Sequence, residues 1–380
     1  MRWISLIILS LWSFSVLHAE GIRISEGRNL FMDPCYRCHP LAEQETGKIA
    51  PRIKSMDVFA FAAAIWNQSP NMLKAFETKG WKLPSIDSRQ MLQIFLFTQV
   101  MADRVRVGDP ELGKRFVEAN HCLSCHSIGG QGVEVGPSWD RFADTLHPTI
   151  LMSAIWLHRR QMIYAFKQRN VALPEFQKGD LANLQAFIRQ NGRSPGIAPI
   201  LVDLEKVTIE PSMFGKFHCN SCHDVGEFAG HPERSLQTIT ESLLTHAFMP
   251  AFAKPPLELL VMTPEDSVSI AGLIYYFGHL RLATDPAKGK RIFSQHGCNE
   301  CHDEPDGSTK DGIVIEPVRD TWDLISRIFN KVPNMIQEAK LESRAFPRLT
   351  PEEMAQLYAY LCASSPTCKS QSQVPVLSAE

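Results

Sequence analysis

The sequence predicts an all-α protein built of four tandem domains. Three observations predict it. One five-residue motif stands at 35–39, 122–126, 219–223 and 298–302, a separation that gives each copy one small domain. The stretch ahead of the motif also repeats: DPELGKRFVEAN before the second copy, DPAKGKRIFSQH before the fourth, and the shorter EPSMFGKF before the third. Each copy is followed by a loop region and then by a segment whose apolar residues recur three and four apart, as a helix with one buried face requires. A length of 380 residues accommodates this division.

Along the chain, residues 1–19 read as an export signal. Arg2 gives a positive start, Trp3 to Leu17 is an apolar run, and Ala19 is a small residue at a cleavage position. The rival is a membrane anchor, but a run of about 15 residues falls short of the ~20 that a spanning helix needs. The domains follow at 20–104, 105–194, 195–283 and 284–363, and 364–380 is a polar tail. The opening helices carry Pro110, Pro211 and Pro286 near their starts, where a missing N–H costs little. Closing helices are expected at 88–101, 180–191, 265–280 and 351–362. Composition shifts place linkers near 104–110, 191–200 and 282–289.

The motif copies are CYRCH, CLSCH, CNSCH and CNECH, and they take up eight of the ten cysteines. C-x-x-C-H is the pattern of c-type haem attachment. Each thiol adds to one vinyl group of the porphyrin, so the two must sit along one edge of the ring. The following histidine is then held beneath the iron as its proximal ligand. Cys35 and Cys38, Cys122 and Cys125, Cys219 and Cys222, and Cys298 and Cys301 are the attachment residues. His39, His126, His223 and His302 are the proximal ligands. A single C-x-x-C also fits a redox dithiol or half a zinc site. Zinc, however, pairs two such units close in sequence, whereas these are far apart and each carries histidine in the same place. The expectation is four covalently bound c-type haems. Haem attachment outside the bacterial cytoplasmic membrane agrees with the export signal and points to the periplasm.

An opening helix, C-x-x-C-H and a closing helix with apolar and aromatic residues together resemble a class I cytochrome c domain. The resemblance covers about residues 22–363. It is reinforced by MPAF at 249–252 followed by TPEDSVSIAGLIYYF, and by LTPEEMAQLYAYL at 349–361. It implies that in each domain the two helices cross and pack beside the haem.

Three domains share a phrase in which a sixth iron ligand is sought: IWNQSPNM (65–72), IWLHRRQM (155–162) and IFNKVPNM (328–335). Met72, Met162 and Met335 each stand nineteen positions before Met91, Leu181 or Met354 of the closing segment. A thioether suits haem iron and raises its potential, although methionine also serves as core filler. Some class I cytochromes carry a similar W-N-H-x-P-x-M phrase. This chain has Gln68, His158 and Lys331 at the histidine position, which leaves His158 as a competitor of Met162. In the third domain the resemblance to the family's Met-Pro motif implies Met249, with His246 as its rival. The ligands are expected on different loops in different domains, and Trp66 and Trp156 are expected to pack against haem. Residues 253–262 form an apolar, proline-rich insertion that either covers a haem edge or meets a neighbouring domain. The remaining Cys362 and Cys368 form a disulfide or stay free, and SSP at 364–366 permits the short loop.

Thirty-nine Lys and Arg against forty-one Asp and Glu leave a net charge of −2, which gives no reason to expect nucleic-acid binding. The reading is one-electron transfer between redox protein donors and acceptors, with a membrane-bound respiratory complex among the candidate partners. The alternative is a multihaem redox enzyme of peroxidase or reductase type, which would need one haem with an open sixth position.

Overall fold

The computed structural model describes residues 21–33, 35–39, 56–103, 108–144, 147–193, 201–231, 234–249, 257, 260–279, 284–305, 307, 312–366 and 368. The export signal, the linker residues 104–107, 194–200 and 281–283, and most of the tail lie outside them. In chain order the helices are α1 (Ile24–Met32), α2 (Val58–Lys79), α3 (Ser88–Asp103), α4 (Pro110–Ala119), α5 (Pro148–Gln168), α6 (Asp180–Asn191), α7 (Ser212–Lys216), α8 (Leu236–His246), α9 (Pro264–Gly278), α10 (Pro286–Gln295), α11 (Thr321–Leu341) and α12 (Pro351–Ala363). Among the described residues the strands are two residues long, so the chain is mostly helical. No described helix is long and apolar enough to cross a membrane.

The opening helices start as the sequence dictates. Asp109 and Asp285 each accept hydrogen bonds from two N–H groups of the first turn, and Pro110 and Pro286 fill the first helical position. The opening helix then crosses the closing helix of its own repeat: α1 with α3, α4 with α6, α10 with α12. A glycine sits at each crossing. A Cβ at Gly27, Gly113 or Gly289 would stand 2.1, 2.1 or 2.0 Å from the carbonyl oxygen of Gln93, Asn183 or Gln356. Repeat three departs from this plan. Its α7 is a stub, and the strand Thr208–Ile209 ahead of it pairs antiparallel with Ile22–Arg23 of repeat one.

The segments expected as loops between motif and closing helix contain α2, α5, α8 and α11. Three of these run for 21 or 22 residues, and Pro70 and Pro333 lie inside two of them. A mid-helix proline removes one hydrogen bond and clashes with the carbonyl four residues back. These helices persist because each packs along a helix of another repeat: α2 against α11 and α12, and α5 against α8 and α9.

Repeats one and four therefore form a pair, with contacts that are nearly reciprocal. Asn67 accepts from Leu349 N–H (3.0 Å) and donates to Leu349 O (2.7 Å). Asn330 accepts from Ile86 N–H (3.1 Å) and donates to Ile86 O (2.8 Å). Asn67 and Asn330 occupy the same place in the repeated phrase, and Ile86 and Leu349 each stand two residues before a closing helix. This is the pattern of an isologous interface, formed inside one chain.

Repeats two and three make a second pair. The Trp156 indole N–H donates to Leu260 O (3.0 Å), as that of Trp66 does to Pro347 O (2.8 Å) across the first pair. Trp66 also stacks on Phe346, with ring centroids 4.6 Å apart. Both tryptophans, expected to pack against haem, also join repeats through their indole N–H groups. Arg159 donates to Leu257 O and Leu260 O, so the described part of the insertion meets the neighbouring repeat. The two pairs join at Phe95 of α3, which touches Tyr275, His279 and Trp322, and through Tyr275, whose hydroxyl donates to Met56 O (2.7 Å).

Candidate functional site

All four motifs adopt one backbone geometry. Cys35–Arg37, Cys122–Ser124, Cys219–Ser221 and Cys298–Glu300 are single 3₁₀ turns. In each, the N–H groups of the second cysteine and of the histidine both donate to the carbonyl of the first cysteine, the histidine at 2.9 to 3.0 Å. Both thiols and the imidazole are thus fixed on one short turn. His121 (φ 53°), His218 (φ 56°) and Gly297 (φ 70°) enter the turn in the left-handed region, which turns the chain sharply out of the opening helix. For the two histidines this conformation costs on the order of 1 kcal/mol or more.

None of the eight motif cysteines is in a disulfide. Burial raises the pKa of Cys35, Cys219 and Cys298 to about 11 and that of Cys122 to about 12. A redox dithiol needs the opposite, an attacking thiol held low. Among the described residues no cluster of three or more His, Cys, Asp and Glu side chains has the arrangement of a metal site. The donor set of each motif, two thiols and one imidazole on a tight turn, fits covalent attachment of haem.

Three of the motif histidines are oriented through Nδ1. His126 Nδ1–H donates to Pro137 O (2.9 Å) and His302 Nδ1–H to Ile313 O (3.3 Å), while His223 Nδ1 pairs with Glu227 Oε2 (3.1 Å). Such a bond fixes the tautomer and puts the lone pair on Nε2, the nitrogen that could bind a metal. His126 is 7% exposed, stacks on Trp139 at 5.2 Å, and would meet a Cβ placed on Gly136 at 2.5 Å. Burial lowers the pKa of His39 and His126, which keeps both neutral and able to bind metal.

Residues at or just beyond the ends of the long helices reach the motif of their own repeat. At its end, α5 brings Arg169 to Ser124 O (2.8 Å). Beyond α11, Arg344 pairs with Glu300, and beyond α2 the Trp81 ring lies under Arg37 at 4.8 Å. Met72, Met162 and Met335 lie within these helices, not on loops; all three are half-buried, and Met162 and Met335 pack against the core. Met72 lines a narrow cleft with Ser69, Leu73, Leu83, Phe329 and Pro333. Met249 is 44% exposed. Two other side chains stand nearer the motif histidines than the sequence reading ranked them. The His158 ring is centred 5.9 Å from that of His126, and the His246 ring 6.1 Å from that of His223. Burial lowers the pKa of both, with a further contribution from the facing histidine. Cys362, in the last turn of α12, forms a disulfide with Cys368 beyond the helix end, with Cα atoms 5.2 Å apart.

The Cytochrome c family model matches residues 110–192, the stretch from α4 to the end of α6. The match supports a c-type cytochrome, with covalently bound haem iron and haem-based electron transfer. No curated protein and no solved structure matches the chain.

Proposed function

We propose that the chain is an exported four-haem cytochrome of four tandem class I domains, bounded at 20–104, 105–194, 195–283 and 284–363, that passes single electrons between redox proteins. The observation that carries this reading is the identical 3₁₀ turn of all four C-x-x-C-H motifs, since the family match covers only the second. Haem bound there supplies a metal that gains and loses one electron. The chain's part is to attach it through Cys35 and Cys38, Cys122 and Cys125, Cys219 and Cys222, and Cys298 and Cys301. His39, His126, His223 and His302 hold the proximal position. On the distal side at the first and fourth motifs we assign Met72 and Met335, whose helices pack on one another.

A carrier works by exchange at exposed haem edges and needs no substrate pocket. Partners are redox proteins, a membrane-bound respiratory complex among them, and the site of action is the periplasm after cleavage behind Ala19.

Intact-mass measurement of the purified protein tests this reading. The expected result is a polypeptide beginning after Ala19 with four added haems. Replacing both cysteines of any one motif by alanine removes one haem and leaves three. A wild-type chain with fewer than four haems would sink the proposal.

A further inference from the structure

We propose that His158 and His246, in place of Met162 and Met249, are the distal iron ligands at the second and third motifs, opposite His126 and His223. The inference rests on the four-haem reading above. It is carried by span, tautomer and position.

A metal bound to two imidazole nitrogens at ~2 Å each separates the ring centroids by about 6 Å. The two facing pairs stand at 5.9 and 6.1 Å. His158 Nδ1–H donates to Ala154 O, and His246 Nδ1–H donates to Ser242 O (2.9 Å), each four residues back along its own helix. A carbonyl can only accept, so the proton sits on Nδ1 and the lone pair on Nε2. His158 Nε2 is buried and has no hydrogen-bond partner, a costly condition for a polar atom unless a ligand occupies it. Met249, by contrast, is 44% exposed, and Met162 lies one helical turn beyond His158.

Position gives the same answer. His158 stands eleven residues after its helix cap His147, and His246 eleven after Ser235. The corresponding residues of α2 and α11, counted from Asp57 and Asp320, are Gln68 and Lys331, which are exposed. Imidazole is therefore present at this place in repeats two and three, which pack on each other, and missing from one and four, which also pack on each other. The ligand sets divide along the same line as the fold. A thioether ligand raises the potential relative to a second imidazole. The pair at repeats one and four then takes up electrons first in a reductive titration, and the pair at two and three follows.

The test is near-infrared and electron paramagnetic resonance spectroscopy of the ferric holoprotein, with peptide mapping to place each haem. The wild type is expected to show Met–iron charge-transfer absorption for two haems of four, with all irons low-spin. His158→Ala and His246→Ala should each convert one low-spin iron to a high-spin one or add a third Met–iron signal. Met162→Leu and Met249→Leu, mild changes in a helix and on the surface, should leave the spectra unaltered. Four Met–iron signals in the wild type, or loss of a low-spin iron in either Leu variant, would overturn the assignment while the haem count stands. Absence of haem from the peptide around Cys122 or Cys219 would overturn the four-haem reading and this inference together.

Discussion

A single carboxylate ties the second motif to its closing helix. Asp140 accepts hydrogen bonds from Gly129 N–H and from Arg193 N–H, both at 2.9 Å, so the loop after CLSCH is pinned to the end of α6. Burial pushes its pKa up, but the two N–H groups and the Arg193 charge outweigh that and hold the carboxyl below the ordinary carboxylate range. A folded-state pKa below the unfolded one stabilises the fold above the unfolded value, ~3.8, and the contribution disappears as pH falls through the lower folded value. Asp140→Ala leaves both N–H groups without this acceptor, at a cost of about 1–3 kcal/mol. Thermal melts at neutral pH should show that loss. The variant and the wild type should converge as the buffer is taken well below pH ~3.8, and a gap that widens on acidification would contradict this role.

Helices α2 and α11 make the corresponding argument for elements. Asn67→Ala and Asn330→Ala each strip a donor and an acceptor from the backbone of the partner repeat, at Leu349 and Ile86. Because the contacts are reciprocal, the two variants should lose similar amounts, about 1–3 kcal/mol each, read as the shift in a denaturant midpoint. Widely unequal losses would mean that the interface is not isologous. The same helices mark where sequence reading stopped. The closing helices were legible at 88–101, 180–191 and 351–362, and the structure has them at Ser88–Asp103, Asp180–Asn191 and Pro351–Ala363. Their cap residues and apolar spacing are local signals, as is C-x-x-C-H. The long middle helices were not legible, because proline inside two of them opposes helix and the face that stabilises each helix meets a repeat distant in sequence. His158 and His246 were visible only as rivals of methionine. What raises them is a shared distance from a helix cap, and that distance has no meaning until the helix is known.

At the scale of the molecule, the pairing of repeat one with four and of two with three separates chain order from spatial order. A row of beads along the linkers would let each repeat fold alone. Here repeat one depends on the last repeat: Trp66 stacks on Phe346, Phe59 meets Tyr358 with ring centroids 5.7 Å apart, and Phe95 meets Trp322 at 5.0 Å. Aromatic side chains bury ~150–250 Å² each, so uncovering this face costs on the order of several kcal/mol. A small domain has only about 5–15 kcal/mol to lose. On the four-haem reading, a chain truncated after residue 283 should therefore lose more than the haem proposed at His302. Its α2 and α3 should become protease-sensitive, and the haem at the first motif should be lost or loosely held, while Cys122 and Cys219 keep theirs because repeats two and three still cover each other. Limited proteolysis with haem mapping reads this directly. If the truncated chain keeps three haems and a protected residue 56–103 segment, the repeats are independent beads, and the contacts between one and four contribute little to holding the molecule together.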